Sequence, residues 1–78
     1  MEQLKAIKSL ISYLPHKDIE LARKFIDTRD FESLQMLVSS SIIRTKKGIK
    51  RGSKEYLDID VDKLLELKTS IDTYCLGL

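Results

Sequence analysis

Ile42-Ile43-Arg44-Thr45-Lys46-Lys47-Gly48-Ile49-Lys50-Arg51-Gly52-Ser53-Lys54-Glu55-Tyr56-Leu57-Asp58-Ile59 is the stretch on which the fold turns. Its first four residues are rich in β-branched side chains, its middle is turn-like with two glycines, and Tyr56-Leu57-Asp58-Ile59 alternates like a second strand. β-Branched runs suit a pleated surface, and two of them around a glycine-bearing turn predict a hairpin. Residues 42–59 therefore read as a β-hairpin with a basic tip or as a long basic loop.

Charge marks out the same stretch. Residues 44–54 hold six cations (Arg44, Lys46, Lys47, Lys50, Arg51 and Lys54) and no acid. Residues 1–43 balance six cations against six acids, and residues 55–78 set two against six, which gives the net charge of +2. A near-neutral body with one concentrated positive segment attracts phosphate or an acidic protein surface.

Outward from this segment the pattern is helical. Leu4, Ile7, Ile11 and Leu14 recur at spacings of three and four, with Leu10 widening the stripe, and predict a helix over about 2–14. Pro15 ends it, because the residue before a proline is pushed out of helical geometry, and the same proline can open the next helix. Ile19, Ala22, Phe25 and Ile26 predict that helix over 16–27, with Asp18 and Glu20 placed where the helix dipole favours acids. Thr28 or Asp30 supplies an N-cap oxygen for a third helix over 30–43, striped by Phe31, Leu34, Leu37, Val38 and Ile42. Ser39-Ser40-Ser41 marks a fraying turn of that helix or a place where another backbone comes close. Val61, Leu64, Leu67, Ile71 and Tyr74 predict the last helix over 60–76, and Gly77 offers it a left-handed stop. The expectation is one mostly α domain, residues 1–78: a small bundle of about four helices, with a basic β-hairpin or loop over 44–59 between the third and fourth.

A chain of 78 residues has a thin stability margin and needs regular helix packing or a partner. Cys75 is the only cysteine, so no disulfide forms within the chain; with His16 as the only histidine, a structural zinc shell cannot be filled. The lone thiol fits a reducing, cytoplasmic setting and a buried apolar role on the last helix. The first residues lack the layout of a signal peptide, and no apolar run approaches the ~20 residues that span a bilayer. No membrane partner is expected.

Chemical motifs fail on their spacing. Asp58-Ile59-Asp60-Val61-Asp62 opens like a calcium loop, but the positions that need Gly and Glu hold Lys63 and Thr69. Gly48 to Lys54 is one residue short of a P-loop, with its Ser and Lys reversed. His16 has no nucleophile or acid at an arguable spacing, so neither an enzyme, a cofactor nor a small-molecule substrate is expected.

Three helices followed by a basic hairpin resemble a winged helix-turn-helix domain, which implies nucleic-acid binding with the basic segment as a wing. The third helix departs from that pattern, since Asp30 and Glu32 would meet phosphates with the wrong sign. No aromatic is interleaved with the cations to stack on bases. Leu14-Pro15-His16-Lys17-Asp18-Ile19 with Ala22-Arg23-Lys24-Phe25-Ile26, and Arg29-Asp30-Phe31-Glu32-Ser33-Leu34 with Leu37-Val38, resemble short helical accessory proteins of tailed bacteriophages. The resemblance spans residues 14–43 and implies a non-enzymatic part of a virion. The expected function is accordingly a structural or interaction subunit that docks on a larger assembly through Arg44, Lys46, Lys47, Lys50, Arg51 and Lys54. Its partner would be an acidic protein surface or another copy of the chain. The alternative is a small nucleic-acid-binding module using the same residues.

Overall fold

The computed structural model describes residues 2–77; Met1 and Leu78 lie outside the described residues. Five α-helices follow one another: α1 (Glu2–Leu10), α2 (His16–Asp27), α3 (Phe31–Lys50), α4 (Lys54–Leu57) and α5 (Val61–Leu76). A short 3-10 turn, Ile11–Tyr13, continues α1. Leu14 then swings to extended geometry (φ −66°, ψ 156°) ahead of Pro15, as a pre-proline residue must. Pro15 caps α2 from outside its first turn, its carbonyl accepting from the Asp18 amide at 2.8 Å.

The expected β-hairpin or loop over 44–59 is not present. No strand occurs among the described residues; the basic segment is instead the last turns of α3, followed by the single-turn α4. The helical period simply runs on. Leu34, Val38, Ser41, Thr45 and Gly48 are all buried, at spacings of four, three, four and three, so one face of α3 stays inward for its whole length. Tertiary burial overrides the strand preference of Ile42, Ile43 and Thr45. Lys47 and Lys50 fall in the last turn, where the negative end of the helix dipole favours cations. Ser39-Ser40-Ser41 does not fray, and Ser41 is fully buried.

What read as a hairpin turn is a helix stop. Gly52 takes a left-handed φ of 74° just past the Arg51 cap. Its amide donates to Ile49 O at 3.0 Å, and the Ser53 amide donates to Gly48 O at 2.8 Å. This paired arrangement satisfies carbonyls the helix leaves open. α2 closes in the same way around Arg29, whose φ of 59° is unusual for a residue with a side chain. The Asp30 amide donates back to Phe25 O at 2.8 Å, and the Asp30 carboxylate then caps α3 by accepting from the Ser33 amide at 3.2 Å. Asp60 caps α5 likewise, accepting from the Lys63 amide at 3.3 Å. Gly77, expected to be left-handed, has a φ of −81° and stays in right-handed geometry.

α3 is the spine. It packs against α2, α4 and α5, and α5 in turn packs against α1. Phe31 at the start of α3 meets Tyr74 near the end of α5, ring centroids 4.8 Å apart, so these two helices run antiparallel. Ile7, Leu34, Val38, Leu64, Leu67 and Ile71 are completely buried and form the centre of one shared core.

Candidate functional site

The six sequence-predicted cations do not stay together as one group. Arg44 turns inward. Its guanidinium donates to Asp18 Oδ2 at 3.0 Å and to the Ser41 hydroxyl at 3.1 Å, while that hydroxyl donates to the same carboxylate oxygen at 2.7 Å. Asp18 is only 6% exposed, so this three-way cluster bolts the start of α2 to the middle of α3. A buried carboxylate needs such partners to offset its lost hydration. Asp18 is thus more than an acid favouring a helix start.

The other five cations face solvent. Lys46, Lys47 and Lys50 lie on the last turns of α3, Arg51 caps it and Lys54 opens α4; all are exposed. Among the described residues none of the five is ion-paired. At 3.6 residues per turn, Lys46, Lys47, Lys50 and Arg51 fall within an arc of about 140° on the outer side of the helix.

Two apolar side chains share that arc. Met36 is 70% exposed and Ile43 is 56% exposed. They stand seven residues apart, two helical turns, on the stripe that continues into Lys47 and Lys50. Ser39 and Ser40 between them keep the surface low, and a shallow hollow lined by Gln35, Met36, Ser39, Ser40 and Ile43 runs toward α5. Sequence reasoning missed both residues as surface features. The signal was their placement opposite Leu34, Val38 and Thr45 on the helical period.

The edge of this face toward α5 is closed. Gln35 Nε2 donates to Asp72 Oδ1 at 3.0 Å, and Lys68 Nζ donates to Asp72 Oδ2 at 2.7 Å. The Lys68 ammonium first, with help from the Gln35 amide, holds the Asp72 carboxyl below the usual carboxylate range. On the opposite side α4 is tied down by its aromatic. The Tyr56 ring is buried against Gly48, and Lys17 reaches over it, 5.9 Å from the ring centroid and 3.5 Å from Glu55 Oε1. The basic end of α3 is therefore packed against α4 through Tyr56.

Two further side chains with chemical potential are Cys75 and His16. Burial, and after it the Asp72 charge, pushes the Cys75 thiol up, away from the thiolate form. His16 is exposed at the start of α2. No group of three or more metal-ligating side chains occurs among the described residues, and no described helix is long and apolar enough to cross a membrane.

The chain matches no known family model, and no curated protein or solved structure shows significant similarity to it. What α3 presents is therefore interpreted from its own chemistry.

Proposed function

We propose that this chain is a non-enzymatic interaction subunit whose outward α3 face docks on an acidic protein surface of a larger assembly. The observation that carries this is the alignment of exposed Met36 and Ile43 with Lys46, Lys47 and Lys50 along one side of one helix. Protein interfaces combine an apolar centre with a polar rim, and this face has both. Phosphate contacts need the cations alone and make no use of Met36 and Ile43. The resemblance of residues 14–43 to accessory proteins of tailed phages suggests a virus particle as the assembly.

A second function, nucleic-acid binding, is favoured by one observation: the exposed cations of this segment are free of acid partners. It would work without a wing, since the segment is helical.

The two roles separate in one experiment. The isotopically labelled chain is titrated with a helical peptide carrying Leu and Glu on one face, and separately with a short DNA duplex, by NMR. Docking predicts that the peptide shifts the amides of Met36, Ile43 and Lys47, and that Met36→Glu with Ile43→Glu abolishes this. Absence of peptide binding overturns docking. Duplex binding that falls steeply with salt and ignores the Met36 and Ile43 exchanges would put nucleic-acid binding in its place.

A further inference from the structure

We infer that the partner surface for α3 is present on the chain itself: the outward face of α5 is its complement, and a second copy of this chain docks there head to tail. This rests on the docking role of α3 proposed above and names the partner.

The outward side of α5 presents Asp62, Leu65, Glu66, Thr69, Thr73 and Leu76, all exposed. At 3.6 residues per turn they fall within an arc of about 100°. Leu65 is 40% exposed and Leu76 is 88% exposed. The arc contains two acids and no cation. Lys63 and Lys68 flank it and are half-buried; Lys68 is bound to Asp72 at 2.7 Å, and Lys63 lies 5.8 Å from the Tyr13 ring centroid. Lys63 also reaches Glu66 at 3.4 Å, an exposed pair of the kind that contributes little and opens readily.

The outward side of α3 has the opposite balance: two apolar side chains, two serines and four cations against one acid, Glu32, in its first turn. Each face thus offers two large apolar residues spaced along a helix, small hydroxyl residues between or beside them, and a net charge of one sign. Complementary potentials of this kind steer association and fix register, while like faces repel. The sequence-wide asymmetry agrees, with six cations and no acid in 44–54 against two cations and six acids in 55–78.

Within one molecule the two faces cannot meet. α3 and α5 are packed on each other through their buried sides, around Leu34, Val38, Leu67 and Ile71, and both charged sides look outward. The match must be made between copies. Because the two surfaces differ, the contact is heterologous: each copy that docks leaves one face of each kind free, and growth closes into a ring or continues as a filament. α3 has 20 residues and is about 30 Å long. One helix face of that length falls short of the ~800 Å² per partner of a standard stable interface. Association is therefore weak, dependent on concentration and sensitive to salt.

The test is sedimentation velocity on the intact chain, from micromolar to millimolar concentration, at low salt and at ~0.15 M. The expected result is a sedimentation coefficient that rises with concentration at low salt, with a much smaller rise at the higher salt. One variant reverses the α3 face (Lys46→Glu, Lys47→Glu, Lys50→Glu) and another reverses the α5 face (Asp62→Lys, Glu66→Lys). Each alone is expected to lose the association, and an equimolar mixture to regain it, because the reversed faces then complement each other. Should a reversed variant lose its helical circular dichroism, Lys47→Glu and Glu66→Lys alone carry the same test. A wild-type chain that stays monomeric throughout, or a mixture that does not recover association, overturns the inference. Failure is separable from that of the docking role. A monomeric chain that still binds the acidic peptide removes only self-association, and one that binds neither removes both.

Discussion

The first and second halves of α3 keep the same side of one helix inward, but they fill it with different chemistry. From Phe31 to Ile42 the inward apolar residues are Phe31, Leu34, Val38 and Ile42, and they meet α5 and the shared core. From Ser41 to Lys50 the inward small and polar residues are Ser41, Thr45 and Gly48; Ser41 meets Asp18 from α2, and Gly48 meets the Tyr56 ring from α4. Apolar burial stabilises the first half without directional demands. The second half depends on close approach and on particular polar partners. A helix face can therefore be continuous in space while its hydrophobic stripe stops in the sequence.

Truncation in the first half is expected to have the largest effect. Leu34 is fully buried at the centre of the core, and Leu34→Ala should cost about 2–5 kcal/mol. Chemical denaturation monitored by circular dichroism would measure it. A loss well under ~1 kcal/mol would mean that the apolar half is not what holds α3 in place.

In the second half the sensitive change is an addition. A Cβ on Gly48 would run into the Tyr56 ring. Gly48→Ala should therefore destabilise by about 1–3 kcal/mol, even though alanine is the better helix former. Removing the ring as well tests the cause. In a Tyr56→Ala background, Gly48→Ala should become neutral or stabilising, since only helix propensity is then left. Equal costs in both backgrounds would show that the close approach is not what requires glycine.

The smallest effect has the opposite sign. The Thr45 hydroxyl is buried with no hydrogen-bond partner among the described residues. Replacing it by the isosteric methyl of Thr45→Val should stabilise by about 1 kcal/mol, because an unsatisfied buried polar group is removed at nearly constant volume. A higher unfolding midpoint would confirm this, and a loss would mean that the hydroxyl does have a partner in solution. Together with Leu34 and Gly48, it separates three ways of filling one helix face: apolar contact, close packing and an uncompensated hydroxyl.

Much of the helical plan was legible in the chain. Leu4, Ile7, Ile11, Ala22, Ile26, Leu64, Leu67 and Ile71 advertise inward faces by spacing alone, and all enter the core or pack against it. Of the two N-cap candidates for the third helix, Asp30 rather than Thr28 accepts the first-turn amide, and Asp60 does so for α5. The basic half of α3 was not legible, because glycine and β-branched residues locally favour a turn and strands. Nothing near Asp18 in sequence points to Arg44, 26 residues away. Nor does local sequence show that Gly48 leaves room for a ring eight residues later. The candidate site was partly legible: five of the six cations do face solvent, and Met36 and Ile43 lie inside the helix expected over 30–43, but their alignment with the cations follows only once that helix runs on to Lys50.

Local sequence specifies the helical class, the main apolar stripes, acidic residues at the helix starts and the concentration of positive charge in 44–54. These follow from local rules: a period of 3.6, a carboxylate before a first turn, a count of charges. Tertiary packing makes the basic segment helical and pairs Arg44 with Asp18. It also decided that α3 and α5 turn faces of opposite charge to solvent. The reason is that burial depends on which neighbour arrives: Tyr56 gives a helical glycine a packing role, Asp18 gives a cation an inward partner, and neither contact leaves a mark in the local pattern.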